Sequence, residues 1–114
     1  MPYNIQLANT IREAFEHLED VIEKNMFGGL GFMVDGKLSI FVVGDELLCR
    51  IGAAEVEKVI EENGTRQFIN NGKVMKDYVY VNEDAFRHKE DLNSWIRLSL
   101  DFNPQAKAAK KKYR

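Results

Sequence analysis

The sequence predicts an α+β domain in two layers, with a mainly antiparallel five-stranded sheet. Three observations carry this reading. Apolar residues near both ends of the 114-residue chain recur at three- and four-residue steps, the period of a helix face. Between them run short apolar segments separated by Asp35-Gly36, Gly44-Asp45 and Asn70-Asn71-Gly72, the residue types of tight turns. The resulting order is α-β-β-β-α-β-β-α, and hairpin-sized connections place consecutive strands antiparallel.

The first helix is predicted over residues 5–24. Ile11, Ala14, Phe15, Leu18, Val21 and Ile22 form its apolar stripe, acids fill the other face, and Asn4 stands at the N-cap. Asn25 and the glycines after it stop the helix. Residues 26–51 then read as three strands. The first carries Gly28, Gly29 and Gly31 among large apolar residues, and glycine in a strand marks a bend or a close approach of another backbone. The second places Leu38, Ile40 and Val42 on one face and Ser39, Phe41 and Val43 on the other, apolar on both sides apart from the serine. On the third, Leu47, Cys49 and Ile51 alternate with Leu48 and Arg50.

A short helix is predicted over 53–63, with Val56, Val59 and Ile60 inward and Gly64 at its C-terminus. Residues 66–69 and 74–81 read as two more strands, Val79 and Val81 facing one way and Tyr78 and Tyr80 the other. The last helix spans 89–102, with Leu92, Trp95, Ile96, Ser99 and Phe102 on one stripe, and Pro104 ends the structure. The domain is therefore read as 1–103, followed by a flexible basic tail over 104–114.

Composition fits one soluble globular domain: 45% of residues are hydrophobic and 30% charged. The net charge of −2 hides an asymmetry. The tail holds Lys107, Lys110, Lys111, Lys112 and Arg114 and no acid, leaving 11 basic against 18 acidic residues in 1–103. The body should repel nucleic acid as a whole, so the tail is expected to give at most weak, salt-sensitive and non-specific contacts with it. One cysteine forms no intramolecular disulfide and suggests a reducing compartment. No apolar run reaches the ~18 residues of a membrane span, and the N-terminus lacks the pattern of a secretory signal, so the expected location is the cytoplasm with no membrane partner.

Few residues invite chemistry. Gly29-x-Gly31-x-x-Val34 matches a dinucleotide fingerprint only in part, because the third small residue is missing and a hairpin turn follows where a helix should begin. His17 and His88 lie far apart in sequence, and no ligand cluster of known spacing accompanies the single cysteine, so no metal or cofactor is expected. Cys49 alternates inward and reads as a small hydrophobe. Asp45 and Glu46 read as solvated turn residues. Arg50 stands between apolar neighbours on a strand, a position that calls for a carboxylate, internal or across an interface.

These residues resemble the TfoX N-terminal domain family. The resemblance rests on Met26-Phe27-Gly28-Gly29-Leu30-Gly31-Phe32-Met33-Val34 with Gly36-Lys37, on Leu48-Cys49-Arg50-Ile51-Gly52, and on Gly72-Lys73-Val74-Met75-Lys76-Asp77-Tyr78-Val79-Tyr80-Val81, with Trp95 fitting as well. It implies a two-layer, secretion-chaperone-like fold. It also implies a link to competence regulation, the role of the family's named members, which carry a second domain. The expectation here is a stand-alone domain. No catalytic residues come with the resemblance.

The reading is a non-enzymatic, regulatory interaction domain acting through protein contacts, with a partner protein or a second copy, and self-association through the sheet as a two-fold homodimer is the expected case. Phe41 and its neighbours on the helix-free face are the expected contact surface, with Arg50 reaching across it. The alternative is a small-molecule or anion site, or a minor enzyme, near the glycine-rich strand (Gly28, Gly29, Gly31) and Arg50.

Overall fold

The computed structural model describes residues 3–106. The cationic residues of the tail, Lys107 to Arg114, lie outside the described residues. Helix α1 (Ile5–Ala14) is followed by strands β1 (Val21–Met26), β2 (Gly29–Val34), β3 (Lys37–Val43) and β4 (Glu46–Arg50). Then come α2 (Ala53–Val59), β5 (Thr65–Asn70), β6 (Lys73–Val81) and α3 (Lys89–Phe102), with short 3-10 turns at Glu83–Ala85 and Asn103–Gln105. The strands form one antiparallel sheet in the order β1-β2-β3-β4-β6-β5.

The sheet has six strands where the sequence suggests five. The additional one, β1, comes from the end of the predicted first helix. That helix stops at Ala14, and Val21–Met26 pairs along its whole length with β2. Val21 and Ile22 extend the helical stripe in sequence, but both are β-branched and favour a pleated edge. The joining turn is Phe27-Gly28, both at positive φ (51° and 76°). Phenylalanine is rare in that conformation, so the turn carries no ordinary sequence signal. Asn4 caps α1 as expected, its side-chain oxygen accepting from the Leu7 N–H at 3.0 Å.

All three helices pack on one face. Leu7, Ala8 and Ile11 of α1, Val56 and Val59 of α2, and Trp95 and Ile96 of α3 share one core with the inward strand residues Leu30, Phe32, Ile40, Val42, Leu47, Cys49, Val79 and Val81. Phe15 meets Phe32 edge to face at 5.8 Å between ring centres. The layers are tied by polar contacts as well. The Trp95 indole N–H donates to the Ala85 carbonyl at 2.9 Å, and buried Asn103 donates to the Val34 carbonyl at 3.1 Å.

One irregularity re-sorts β3. Phe32 pairs with Ile40 but Met33 pairs with Leu38, so Ser39 is an extra residue in β3, a β-bulge. The simple alternation that put Leu38 with Ile40 and Val42 therefore fails. Leu38 shares the helix-free face with Phe41 and Val43. Ser39 turns into the core, where its hydroxyl is buried without a hydrogen-bond partner among the described residues.

Candidate functional site

With every helix of the described residues on one side, the opposite face of the sheet is left uncovered by them. It is concave. Met26, Phe27, Leu38, Phe41, Val43, Leu48, Phe68, Asn70, Met75, Tyr78 and Tyr80 line a groove of ≈ 570 Å³. Met26 and Phe27 belong to one edge of the sheet and Phe68 and Asn70 to the other. In a flat sheet five strand spacings of ~4.8 Å would hold those edges about 24 Å apart. A shared groove therefore requires strong curling. The Ser39 bulge supplies part of it. Another part comes from the β5–β6 pairing, whose register shifts between Gln67 and Ile69.

The glycines of β2 lie beneath the groove. Gly29 and Gly31 point to the open face, and the ring of Phe41 lies over them. A Cβ on Gly29 would meet the Val42 carbonyl oxygen and stand 2.6 Å from Phe41 Cζ. A Cβ on Gly31 would stand 2.6 Å from Met26 Cε and 3.5 Å from Phe41 Cδ1. The absence of both side chains leaves room for an aromatic ring against the strand. Phe41 is consequently only 6% exposed although no helix covers it. Gly28 serves the turn beside it. That turn holds Phe27 out in solvent, 90% exposed, at the groove's end.

Arg50 lies on the same face but outside the groove. Across the ladder it pairs with Tyr78, and its guanidinium sits 5.3 Å from that ring's centre. Its Nη2 is 3.8 Å from Asp77 Oδ2, an ion pair too long to be a hydrogen bond. Nε is buried without a partner among the described residues. The internal carboxylate that the sequence called for is thus Asp77. Arg50 borders a second concavity of ≈ 420 Å³ with Lys73, Met75, Lys76, Asp77 and Tyr78. Met75 and Tyr78 line both spaces, so the basic corner adjoins the apolar groove.

On the far strands, Phe68 contacts Tyr78 and Tyr80 edge to face at 5.6 and 5.5 Å. Arg66 stacks over Tyr80 at 4.3 Å and forms a forked ion pair with Glu46. Burial pushes the Tyr78 hydroxyl pKa upward, with Arg50 opposing the shift. The face is thus apolar along its floor and charged at its rim.

Of the residues singled out in sequence, Phe41 lines the groove, Gly29 and Gly31 lie beneath its ring, Gly28 stands in the adjoining turn, and Arg50 lies two residues along β4 from groove-lining Leu48. Sequence reasoning missed Phe27, Met26, Leu38, Phe68 and Met75. Tyr78 and Tyr80 were legible as a pair facing away from the core. Leu38 was hidden by the bulge and Phe27 by its unusual turn.

The remaining chemistry-bearing groups are ordinary. Cys49 is fully buried, its thiol pKa pushed up to about 12 by burial, with a contact to Ser99 opposing the shift. A thiol so held is a poor nucleophile. Among the described residues no group of three or more His, Cys, Asp or Glu is placed to hold a metal ion. No helix among them is long and apolar enough to cross a membrane.

The fold and this face together define a two-layer α+β domain with an open, concave sheet surface. The chain belongs to the TfoX N-terminal domain family, whose model matches residues 13–103. No curated protein and no solved structure matches it. The three stretches on which the resemblance rests all contribute to the open face, residues 26–34 through Met26 and Phe27 and the glycines beneath Phe41, 48–52 through Leu48 and Arg50, and 72–81 through Lys73, Met75, Lys76, Tyr78 and Tyr80.

Proposed function

We propose that this chain is a regulatory interaction domain that binds a partner protein on the helix-free face of its sheet and catalyses no reaction. The observation that carries this reading is the groove itself. Apolar surface of this extent, floored by Phe41 and ended by a fully presented Phe27, favours contact with another apolar surface over water. The family's link to regulation points the same way.

Placing a photo-crosslinking phenylalanine analogue at position 27 in living cells tests the reading. A discrete crosslinked protein is expected from position 27, lost when Val43→Glu puts a charge on the partly exposed groove wall, and absent from a control at exposed Glu57 on the helix side. Equal labelling from both positions would remove the face from consideration.

A second reading has one observation in its favour. A groove of ≈ 570 Å³ falls in the size range of small-molecule pockets. In that reading the ligand lies on the glycine-rich strand and reaches toward Arg50. Native mass spectrometry of the freshly purified chain separates the two, since a stoichiometric small-molecule adduct would favour the pocket.

A further inference from the structure

Charge is divided between the two layers of this domain. The helix-bearing segments 12–20, 53–62 and 83–101 contain thirteen acidic and five basic residues. The rim of the open face carries Lys24, Arg50, Arg66, Lys73 and Lys76 against Glu46 and Asp77. An acidic chain has gathered an excess of positive charge around this uncovered apolar surface. Glu46 is already engaged by Arg66, and Asp77 is loosely paired with Arg50, so Lys24, Lys73 and Lys76 stand free of ion pairs among the described residues.

Resting on the protein-contact reading above, we propose that the occupant of the groove is an acidic, apolar segment of another protein. Its large side chains enter between Phe27, Phe41 and Leu48, and its carboxylates meet Arg50, Lys73 and Lys76 at one rim and Lys24 at the other. Charge complementarity of this kind sets partner choice and speeds encounter. It disfavours a second copy meeting the first face to face, since two positive rims would oppose each other. The arrangement also suits single-stranded nucleic acid poorly. Such sites stack successive bases on several free aromatic faces, and Phe27 alone among the groove's described aromatics is fully exposed. Here Arg66 covers Tyr80 and Arg50 covers Tyr78, while Phe68 packs against both rings.

The test is selection of random dodecapeptides displayed on phage against the full purified chain, followed by affinity measurement on the synthesised winners. Winners combining Leu, Phe or Trp with two or more Asp or Glu are expected. Their affinity should fall about tenfold between 50 and 500 mM salt, and about tenfold for the double variant Lys73→Glu/Lys76→Glu. Both lysines are exposed, so the variant should keep its melting temperature. It also keeps the five C-terminal cations, so a loss there assigns the effect to the face. Apolar winners without acids, indifferent to salt and to the double variant, would overturn the charge inference while leaving the contact reading intact. Failure to select any peptide, with a fluorescent oligothymidine bound in the low micromolar range, would overturn both. A solution dimer dissociated by Phe27→Asn would also overturn the inference, by placing a second copy in the groove.

Discussion

The ring of Phe41 lies over Gly29, so close that a Cβ on the glycine would stand 2.6 Å from Phe41 Cζ and meet the Val42 carbonyl oxygen. The backbone oxygen cannot move aside without disturbing the β2–β3 ladder. Gly29→Ala should therefore destabilise the domain by about 1–3 kcal/mol. At Gly31 the nearest obstacle is the end of the flexible Met26 side chain. Gly31→Ala should cost less than about 1 kcal/mol, offset further by the stiffer unfolded chain. Urea unfolding of the two variants checks the order. Equal losses would mean that Phe41 does not rest on Gly29.

Phe27 sits 90% exposed at φ 51°, a conformation that suits asparagine far better. Phe27→Asn should raise stability by about 0.5–1 kcal/mol while removing the aromatic at the groove's end. Thermal melting and the crosslinking partner's affinity, measured together, give the outcome. A gain in stability with a loss of binding is expected, and a loss of stability would show that the ring packs against the domain.

The Arg12–Glu23 pair joins α1 to the edge strand β1, with Arg12 Nη2 2.7 Å from Glu23 Oε1. The hydrogen bond from Arg12 holds the Glu23 carboxyl below its ordinary range, against the opposing effect of burial. A depressed folded-state pKa gives stability that is present above the unfolded value and lost as pH falls through the folded one. The acid limb of the stability profile, from about pH 4.5 downward, should therefore flatten in Arg12→Ala. Both side chains are well exposed, so the change should stay under about 1 kcal/mol. An unchanged acid limb would remove this pair from the profile.

Cys49, fully buried and with its pKa at about 12, should resist thiol reagents in the native chain and react only on unfolding. Above the ordinary thiol range the unfolded chain releases a proton that the folded chain keeps, so stability should decline from about pH 9 toward pH 12. Cys49→Ala should lose that slope while being less stable at pH 7. Rapid native labelling at pH 8 would show that the sheet opens at β4.

Local signals were sufficient for much of this architecture. The Asn4 cap, the 89–102 helix and the Asp35-Gly36 and Asn71-Gly72 turns are written in residue types whose preferences act over a few positions. The glycines of β2 announced a close approach, and the approaching group proved to be Phe41, one of the residues already singled out. Tertiary structure decided the rest. Residues 21–26 fit a helical stripe as well as a strand, and only pairing with β2 chose between them. The Ser39 bulge moved Leu38 to the open face, which no count of alternating residues reveals. The division of charge between layers emerged only when the helices settled on one side, because sequence fixes how many acids and bases there are, whereas packing fixes which face they share.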